Sequence, residues 1–387
     1  MNGCRSSLYC IVPPYIMREI VENGTAVQRQ QALRNLVSAE AVRVQREVIA
    51  KEGVAEPLME AAAVGLSRII YTADNGSSLP GRQLRGEGGA PTGDPAADEA
   101  YDGAGATYDL FSEIYNRNSI DGVGLRLDST VHYRTGYDNA FWNGRQMVYG
   151  DGDEDLPEAQ RLFNRFTIAV DIIGHELAHG VTQHTANLIY QGQSGALNES
   201  ISDVFGSLVK QRLLGHTAAE ADWIIGEGLF TSNVNGAGIR SMKEPGTAYD
   251  DPVLGKDPQP GHMRNYVQTP SDNGGVHINS GIPNRAFYVT AFNLGGFAWE
   301  KAGQIWYLTL RSKLSESANF ATAAARTYEA AAELYGQGSL EQQAVRAGWA
   351  EVGIDVQQGG PDPGSGGERP GCGGSLVGLF RSLFGSG

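Results

Sequence analysis

Cysteine is scarce in this chain of 387 residues: the only three are Cys4, Cys10 and Cys372, which lie close to the two ends. No cysteine is available to link the long stretch between Cys10 and Cys372. We therefore expect no disulfide framework in the body of the protein.

Long apolar runs are also missing. No stretch approaches the roughly 20 apolar residues that span a bilayer. Near the N-terminus the apolar run 8–12 is short and stops at Pro13 and Pro14, whereas a secretory signal peptide needs a longer apolar segment. The sequence thus predicts no membrane span and no classical signal peptide. It leaves a protein that is made in the cytoplasm and either stays there or is exported by a non-classical route.

Positive charge is in deficit, with 30 lysines and arginines against 44 aspartates and glutamates and a formal net charge of −14. An acidic surface repels polyanions, which excludes nucleic acid and anionic membranes from the expected partners. The hydrophobic fraction of 41% is ordinary for a globular protein, and the length predicts two lobes with appendages. We expect a monomer.

The most informative motif is HExxH, formed by His175, Glu176 and His179. Two histidines four residues apart lie on the same face of an α-helix, about one turn apart. Their imidazoles can bind one Zn²⁺, and the glutamate between them is placed to act as a general base toward water. The apolar residues 166–173 predict that this helix is buried, which disfavours two surface histidines. The motif indicates a zinc metallopeptidase.

A catalytic zinc site needs three protein ligands. Glu199, which follows His179 by 20 residues, is the best candidate for the third. Asp203 lies one turn further on the same helix face and is predicted to accept the second N–H of a ligand histidine. The alternative is that both acids decorate a solvated helix face. His184 is rejected as a ligand, because five residues correspond to roughly 500° of helix rotation, which points it away from the metal.

Patterns along the chain predict an α+β protein. Apolar residues at helical spacing suggest a separate helical module over residues 1–60, and residues 65–155 are predicted to be rich in strands. Later helices are predicted at 167–185, 198–214, 283–293, 303–315 and 318–334. Strands followed by helices favour two lobes with a cleft between them. Residues 356–387 are rich in glycine and are predicted to be a flexible tail.

Several motifs in order resemble the thermolysin family of neutral zinc metallopeptidases over roughly residues 65–355. They are 139–144, 175–179, Tyr190 with 195–199, 239–242 and 272–279. The resemblance implies a β-rich lobe, 65–184, that ends in the HExxH helix. A helical lobe, 185–355, is expected to follow, with the zinc cleft between them. Residues 272–275 are by themselves typical of a tight turn that delivers His277, for which a core histidine is the alternative.

Carried over residue by residue, the resemblance implies that His175, His179 and Glu199 bind zinc and that Glu176 is the general base. The resemblance also implies that Tyr190 and His277 stabilise the oxyanion and that Asp272 orients His277. It implies that Asn139, Ala140 and Arg240 bind the main chain of the substrate. A pocket for a bulky apolar residue just after the cut is implied to be lined by Ile172, Ile225 and Ile239.

The sequence departs from the family pattern at calcium. Asp171, Asp222 and Glu227 match a double-calcium site, but Lys210 stands where that site has a carboxylate. A lysine ammonium can neutralise these acids in place of one Ca²⁺. The sequence therefore predicts a vestigial calcium site, and Ca²⁺ is a doubtful cofactor.

The N-terminal region departs from the better-known members as well. Pro13, Pro14 and Tyr15 belong to a short segment that resembles the compact propeptide of the protealysin-like branch. The resemblance implies a zymogen in which residues 1–60 inhibit the enzyme. Two consecutive prolines favour an extended backbone, which we expect to lie in the cleft near the zinc. Two interpretations of Cys10 are possible: its thiolate binds zinc, or it is a buried free cysteine.

The leading hypothesis is a zinc-dependent neutral endopeptidase, made as a zymogen, that cuts peptides and proteins before bulky hydrophobic residues. One alternative keeps the mechanism in a processing peptidase or toxin of narrow specificity. The other is a non-catalytic binding protein on the same fold, which the complete set of zinc ligands, base and oxyanion donors disfavours.

Overall fold

A computed structural model describes residues 9–38 and 65–357. Cys4, Cys372, most of the Gly-rich tail and the residues between 38 and 65 lie outside the described residues. Within the described part, none of the helices combines the length and the apolar character needed to cross a membrane.

A six-stranded mixed sheet forms the first lobe. Its strands are β1 (Tyr9–Cys10), β2 (Arg68–Thr72), β3 (Arg82–Gly86), β4 (Leu127–Val131), β5 (Ala140–Trp142) and β6 (Met147–Tyr149). Their order across the sheet is β1-β5-β6-β4-β2-β3, with β2–β4 and β4–β6 parallel and the other pairs antiparallel. The N-terminal strand β1 therefore extends the edge of the sheet beside β5.

Helices dominate the rest of the fold. They are α1 (Pro14–Asn23), α2 (26–38), α3 (Pro95–Asp109), α4 (Val170–Gln183), α5 (Gly192–Leu214), α6 (Asp272–Asn279), α7 (Gly281–Leu294), α8 (Ala302–Ser312), α9 (Phe320–Tyr335) and α10 (Leu340–Glu351). Four two-residue strands form two small sheets. In one, β7 (Ile224–Ile225) pairs with β8 (Arg240–Ser241) beside the site; in the other, β9 (Asp250–Asp251) pairs with β10 (Gly255–Lys256). The predicted α+β class with two lobes is confirmed, and the five predicted helices correspond to α4, α5, α7, α8 and α9.

The helix α3 is the main element that the strand-rich prediction for 65–155 missed. Its start signals are present, because the Asp94 side chain caps the backbone N–H groups of Ala96 and Ala97 and Pro95 occupies the first turn. Glycines inside the helix obscured the pattern. A Cβ at Gly103 would come within 2.4 Å of a methyl carbon of Ile173 on α4, so this glycine allows the two helices to pack closely.

We call residues 9–38 the N-terminal segment. Its helix α2 covers two buried carboxylates of the first lobe: Gln31 Nε2 donates to Asp153 at 2.7 Å, and Asn35 Nδ2 donates to Asp138 at 2.9 Å. Burial raises the pKa of Asp138 well above its usual range and that of Asp153 to about 6. Burial therefore favours the protonated carboxyl groups, although the Gln31 amide partly offsets this effect at Asp138.

Docking of α2 should weaken as the pH rises from about 4 through about 6. The pKa of Asp153 is raised to about 6 in the docked state, so its contribution to docking is complete below about pH 4 and is lost as the pH rises through about 6; the raised pKa of Asp138 acts in the same direction. Hydrogen exchange in residues 26–38, corrected for intrinsic rates, should report opening that increases by up to roughly tenfold per pH unit in this window. In the Asp153→Asn variant, the opening of residues 26–38 should depend less on pH. Equal pH dependence in the variant would contradict the assignment to Asp153.

Candidate metal centre and active site

The site forms where α4 crosses α5. His175, Glu176 and His179 lie on α4 and Glu199 lies on α5, and all four side chains are fully buried. The crossing is close because Gly206 of α5 has no side chain: a Cβ there would lie 2.4 Å from a backbone oxygen of α4 and 3.2 Å from Cβ of His175. Helix spacing and this contact together bring the three metal-ligating side chains to one point.

Distances among His175, His179 and Glu199 fit a zinc ion. The two Nε2 atoms are 3.0 Å apart, and the Glu199 oxygens lie 3.6 Å from His175 Nε2 and 3.5 Å from His179 Nε2. Two donors about 2.1 Å from one tetrahedral zinc are roughly 3.4 Å apart. Glu199 Oε2 is buried without a hydrogen-bond partner, as expected of an oxygen kept for a cation. In residues 9–38 and 65–357 no other such metal-compatible group occurs.

The outer ring nitrogens of both histidines are held by polar side chains. Nδ1 of His175 lies 2.8 Å from Asp203, and Nδ1 of His179 lies 2.8 Å from Asn198 Oδ1 and 2.9 Å from Ser202 Oγ. Burial and the neighbouring His175 lower the pKa of His179, which keeps its ring neutral. These contacts aim both Nε2 atoms at the same point, as metal-binding histidines require.

Asp203 also binds Arg240. Nε and Nη2 of Arg240 donate to its two oxygens at 2.8 Å each, and Asn284 Nδ2 donates to it at 2.8 Å. Burial alone would raise the pKa of Asp203, but Arg240 and His175 outweigh it and hold that pKa well below its usual range. The carboxylate is therefore ionised and couples a histidine of the metal centre to the arginine.

Sequence reasoning placed Asp203 in this role but missed Asn198, Ser202 and Asn284. Asn198 stands next to Glu199, and neighbouring residues on a helix point in different directions, so spacing gave no reason to select it. Asn284 is separated from Asp203 by 81 positions along the chain and carries no local signal.

A second set of polar groups faces the metal centre. The Tyr190 hydroxyl donates to Glu199 Oε1 and lies 3.1 Å from His277 Nε2. Asp272 accepts from the His277 backbone at 2.9 Å and lies 2.6 Å from its Nδ1. Residues 272–275 all have positive φ, so the predicted tight turn is present. Burial lowers the pKa of His277, but Asp272 and Glu199 raise it to about 9, which makes the ring a donor.

The remaining predicted residues surround the same cleft. Glu176 Oε2 accepts from the Trp142 backbone N–H at 2.9 Å, which fixes the carboxylate at the edge of β5. Ile172, Ile225 and Ile239 are fully buried in one continuous apolar core, and the Ile239 N–H donates to the Ile225 carbonyl at 2.9 Å. The structure thus brings the predicted base and apolar residues to one region.

The N-terminal segment enters the cleft by a different stretch from the one predicted. Pro14 begins α1 with Pro13 as its N-cap, and Tyr15 lies inside that helix. Proline fits the first turn because the N–H that it lacks has no partner there. The extended part is therefore residues 9–12. Cys10 packs among Tyr133, Tyr137, Phe141 and Val148, and it is absent from the metal-compatible group, which argues against a thiolate bound to zinc.

Lys210 occupies the position predicted from the calcium pattern. Its Nζ lies 2.6 Å from Asp222, 2.9 Å from Glu227 and 3.6 Å from Asp171. Burial lowers the pKa of Lys210, but these three acids outweigh it and raise the pKa above its ordinary value. One ammonium thus offsets part of the negative charge of the cluster, where a metal ion was the alternative.

A buried His–His–Glu group with an adjacent glutamate and a facing tyrosine–histidine pair is typical of a zinc metallopeptidase. Residues 70–183 match the family model of the thermolysin metallopeptidase catalytic domain, and residues 186–354 match that of its α-helical domain. The chain belongs to the thermolysin family. Zn²⁺ is the cofactor of this family, and the geometry above is compatible with it.

Relatives agree along nearly the whole chain. An extracellular metalloprotease of Pectobacterium carotovorum is 50% identical over 90% of this chain and 97% of its own length. An extracellular minor metalloprotease of Serratia marcescens is 40% identical over 90% of this chain and 97% of its own length. The solved precursor of protealysin, a metalloproteinase from Serratia proteamaculans, is 52% identical with a TM-score of 0.80, covering 89% of this chain and 99% of that one. A metalloprotease made as a zymogen with an N-terminal propeptide is therefore confirmed.

The localisation predicted from the sequence is wrong. It rested on the shortness of the apolar run before Pro13 and assigned the protein to the cytoplasm or to a non-classical route. Two close relatives are named extracellular, which overturns that expectation. A short apolar run is a poor guide because export signals are not restricted to this one pattern.

Thermal stability should depend little on calcium, because Lys210 already neutralises the acids. The unfolding midpoint in excess Ca²⁺ should exceed that in a calcium-selective chelator by less than about 10 °C, since a larger shift means tight native-state binding. Lys210→Glu should increase the difference. Lys256→Glu is the matched control, because this lysine is exposed and its ion pair with Asp250 is long, at 3.6 Å. A large shift of the unfolding midpoint with Ca²⁺ in the unaltered protein would contradict the idea that Lys210 takes the place of Ca²⁺.

Proposed function

We propose that this enzyme is a neutral endopeptidase that hydrolyses internal peptide bonds before bulky hydrophobic residues. The carrying observation is the buried zinc-compatible group of His175, His179 and Glu199 with Glu176 on the same helix. A binding protein would have no need for a base and oxyanion donors around such a group.

Each group in the site has a separate role in peptide hydrolysis. Zn²⁺, when bound, supplies a Lewis acid that polarises the scissile carbonyl and makes water more acidic. Glu176 accepts a proton from the attacking water and passes it to the leaving nitrogen. Tyr190 and His277 donate to the oxygen on which negative charge develops, and Asp272 keeps the His277 ring oriented.

Substrate binding is assigned to the edge of the sheet and the adjoining core. Asn139 and Ala140, at the start of β5, offer main-chain and amide groups to an extended peptide, and Arg240 binds a carbonyl beside them. The pocket lined by Ile172, Ile225 and Ile239 accepts the bulky apolar residue after the cut. Its apolar lining favours such residues because their transfer from water is favourable.

The same proposal covers organisation and location. Residues 1–60 are the propeptide and act as an intramolecular inhibitor; 65–184 and 185–355 are the catalytic lobes, and 356–387 is a tail. The names of the relatives support secretion. The partners are peptide and protein substrates, and the mature enzyme acts as a monomer.

Glu176→Gln should leave zinc bound and the fold intact while peptide hydrolysis falls by about 10²–10⁴-fold, the usual contribution of general-base catalysis. Metal analysis and hydrolysis of a casein substrate should be measured on the same samples. Glu329→Gln, at an exposed position on α9, is the matched control. Loss of zinc in the first variant, or a rate above about a tenth of the original, would contradict the role of Glu176.

Removal of the N-terminal segment should activate the enzyme, because residues 9–12 lie along β5 in the cleft. Limited proteolysis within residues 50–64, which lie outside the described residues, should raise casein hydrolysis several-fold in step with loss of the propeptide. A full-length protein as active as the trimmed one would show that the segment is a structural cap and no inhibitor.

A further inference from the structure

Residues 10–12 make an unbroken series of main-chain hydrogen bonds to the cleft. The Cys10 carbonyl lies 3.1 Å from His277 Nε2. The Ile11 N–H donates to the Ala140 carbonyl at 3.3 Å, and the Ile11 carbonyl accepts from Arg240 Nη1 at 3.1 Å. The Val12 N–H donates to Asn139 Oδ1 at 3.0 Å, and the Val12 carbonyl accepts from Asn139 Nδ2 at 3.4 Å. Every one of these partners is a residue that the proposed function assigns to substrate or oxyanion binding.

These contacts identify one peptide bond. The carbonyl that faces the oxyanion donor His277 belongs to Cys10, and Arg240 binds the next carbonyl, that of Ile11. In a substrate the first of these carbonyls is the one attacked. The bond at the reacting position is therefore Cys10–Ile11, and the polarity of the segment is that of a substrate.

Side chains agree with this register. Ile11 is fully buried and belongs to the same apolar core as Ile172, Ile225 and Ile239. It therefore supplies a bulky apolar residue immediately after the bond, as the pocket requires. Cys10 packs against Phe141 and its neighbours, so its carbonyl rather than its sulfur is directed to the site.

We infer that Cys10–Ile11 is a self-cleavage site, at which the zymogen holds its own propeptide as a substrate in the register for hydrolysis. This inference rests on the proposed function. Water adds to the Cys10 carbonyl carbon and the bond to the Ile11 nitrogen breaks. Both water protons go to that nitrogen, the first by way of Glu176, leaving a carboxylate on Cys10 and an ammonium group on Ile11.

The cut differs from removal of the propeptide. Residues after Ile11 stay anchored, because Ile16, Met17 and Ile20 of α1 are buried and α2 is tied to Asp138 and Asp153. Cleavage therefore releases residues 1–10 and leaves Ile11 and Val12 in the cleft. The product of the first cut continues to block the site until α1 and α2 dissociate.

The test is intact mass analysis of purified, zinc-loaded full-length protein over time. We expect loss of residues 1–10 and a new N-terminus at Ile11, at a first-order rate that is independent of protein concentration. Glu176→Gln should abolish the cut. Ile11→Gly should slow it roughly tenfold or more, as loss of an apolar contact in a pocket does, and Ile11→Leu should preserve it. Val37→Gly, at an exposed position of α2, is the matched control and should have no effect.

Casein hydrolysis by the trimmed enzyme separates the two proposals. If casein is hydrolysed but Cys10–Ile11 stays intact, or if all early cuts fall elsewhere, the self-cleavage inference is overturned and the proposed function stands. A cleavage rate that grows with protein concentration also overturns it, because the bond is then cut by a second molecule. If casein is not hydrolysed either, the proposed function itself fails.

Discussion

The buried carboxylate of Asp203 is the interaction on which the rest of the site depends. It joins four elements: α5, which carries it, α4 through His175, β8 through Arg240 and α7 through Asn284. A buried charge is tolerated only when it is fully paired, and removing one partner typically costs about 3–5 kcal/mol. The orientation of His175 and the position of Arg240, which donates to the Ile11 carbonyl, are thus set by one ionised group.

Spacing along single helices predicted much of this centre. His175 and His179 follow from the period of the α-helix, and Asp203 follows Glu199 by one turn. What could not be predicted depends on contacts between distant elements. The close α4–α5 crossing at Gly206 and the position of Asn284 have no local signature, and the family resemblance rather than periodicity located His277 and Arg240.

The errors have physical causes as well. Two prolines in succession suggested an extended chain, yet Pro14 is also suited to the first turn of a helix, and α1 begins there. Local preference allowed both outcomes, and the packing of Ile16 and Ile20 on the body decides between them. In α3 the glycines that weakened the helical pattern are the ones that close packing requires.

Clustered carboxylates are accommodated in two ways by protein groups of this fold. Lys210 forms ion pairs with three acids, and the amide groups of Gln31 and Asn35 donate hydrogen bonds to two more carboxylates under α2. The first solution is permanent because the lysine belongs to the catalytic body. Under the proposed function the second is conditional, since the amides of Gln31 and Asn35 would leave with the N-terminal segment. On that proposal, the raised pKa values of Asp138 and Asp153 mean that the form with α2 docked carries a desolvation penalty at neutral pH, and this penalty favours release of the segment once the chain is cut.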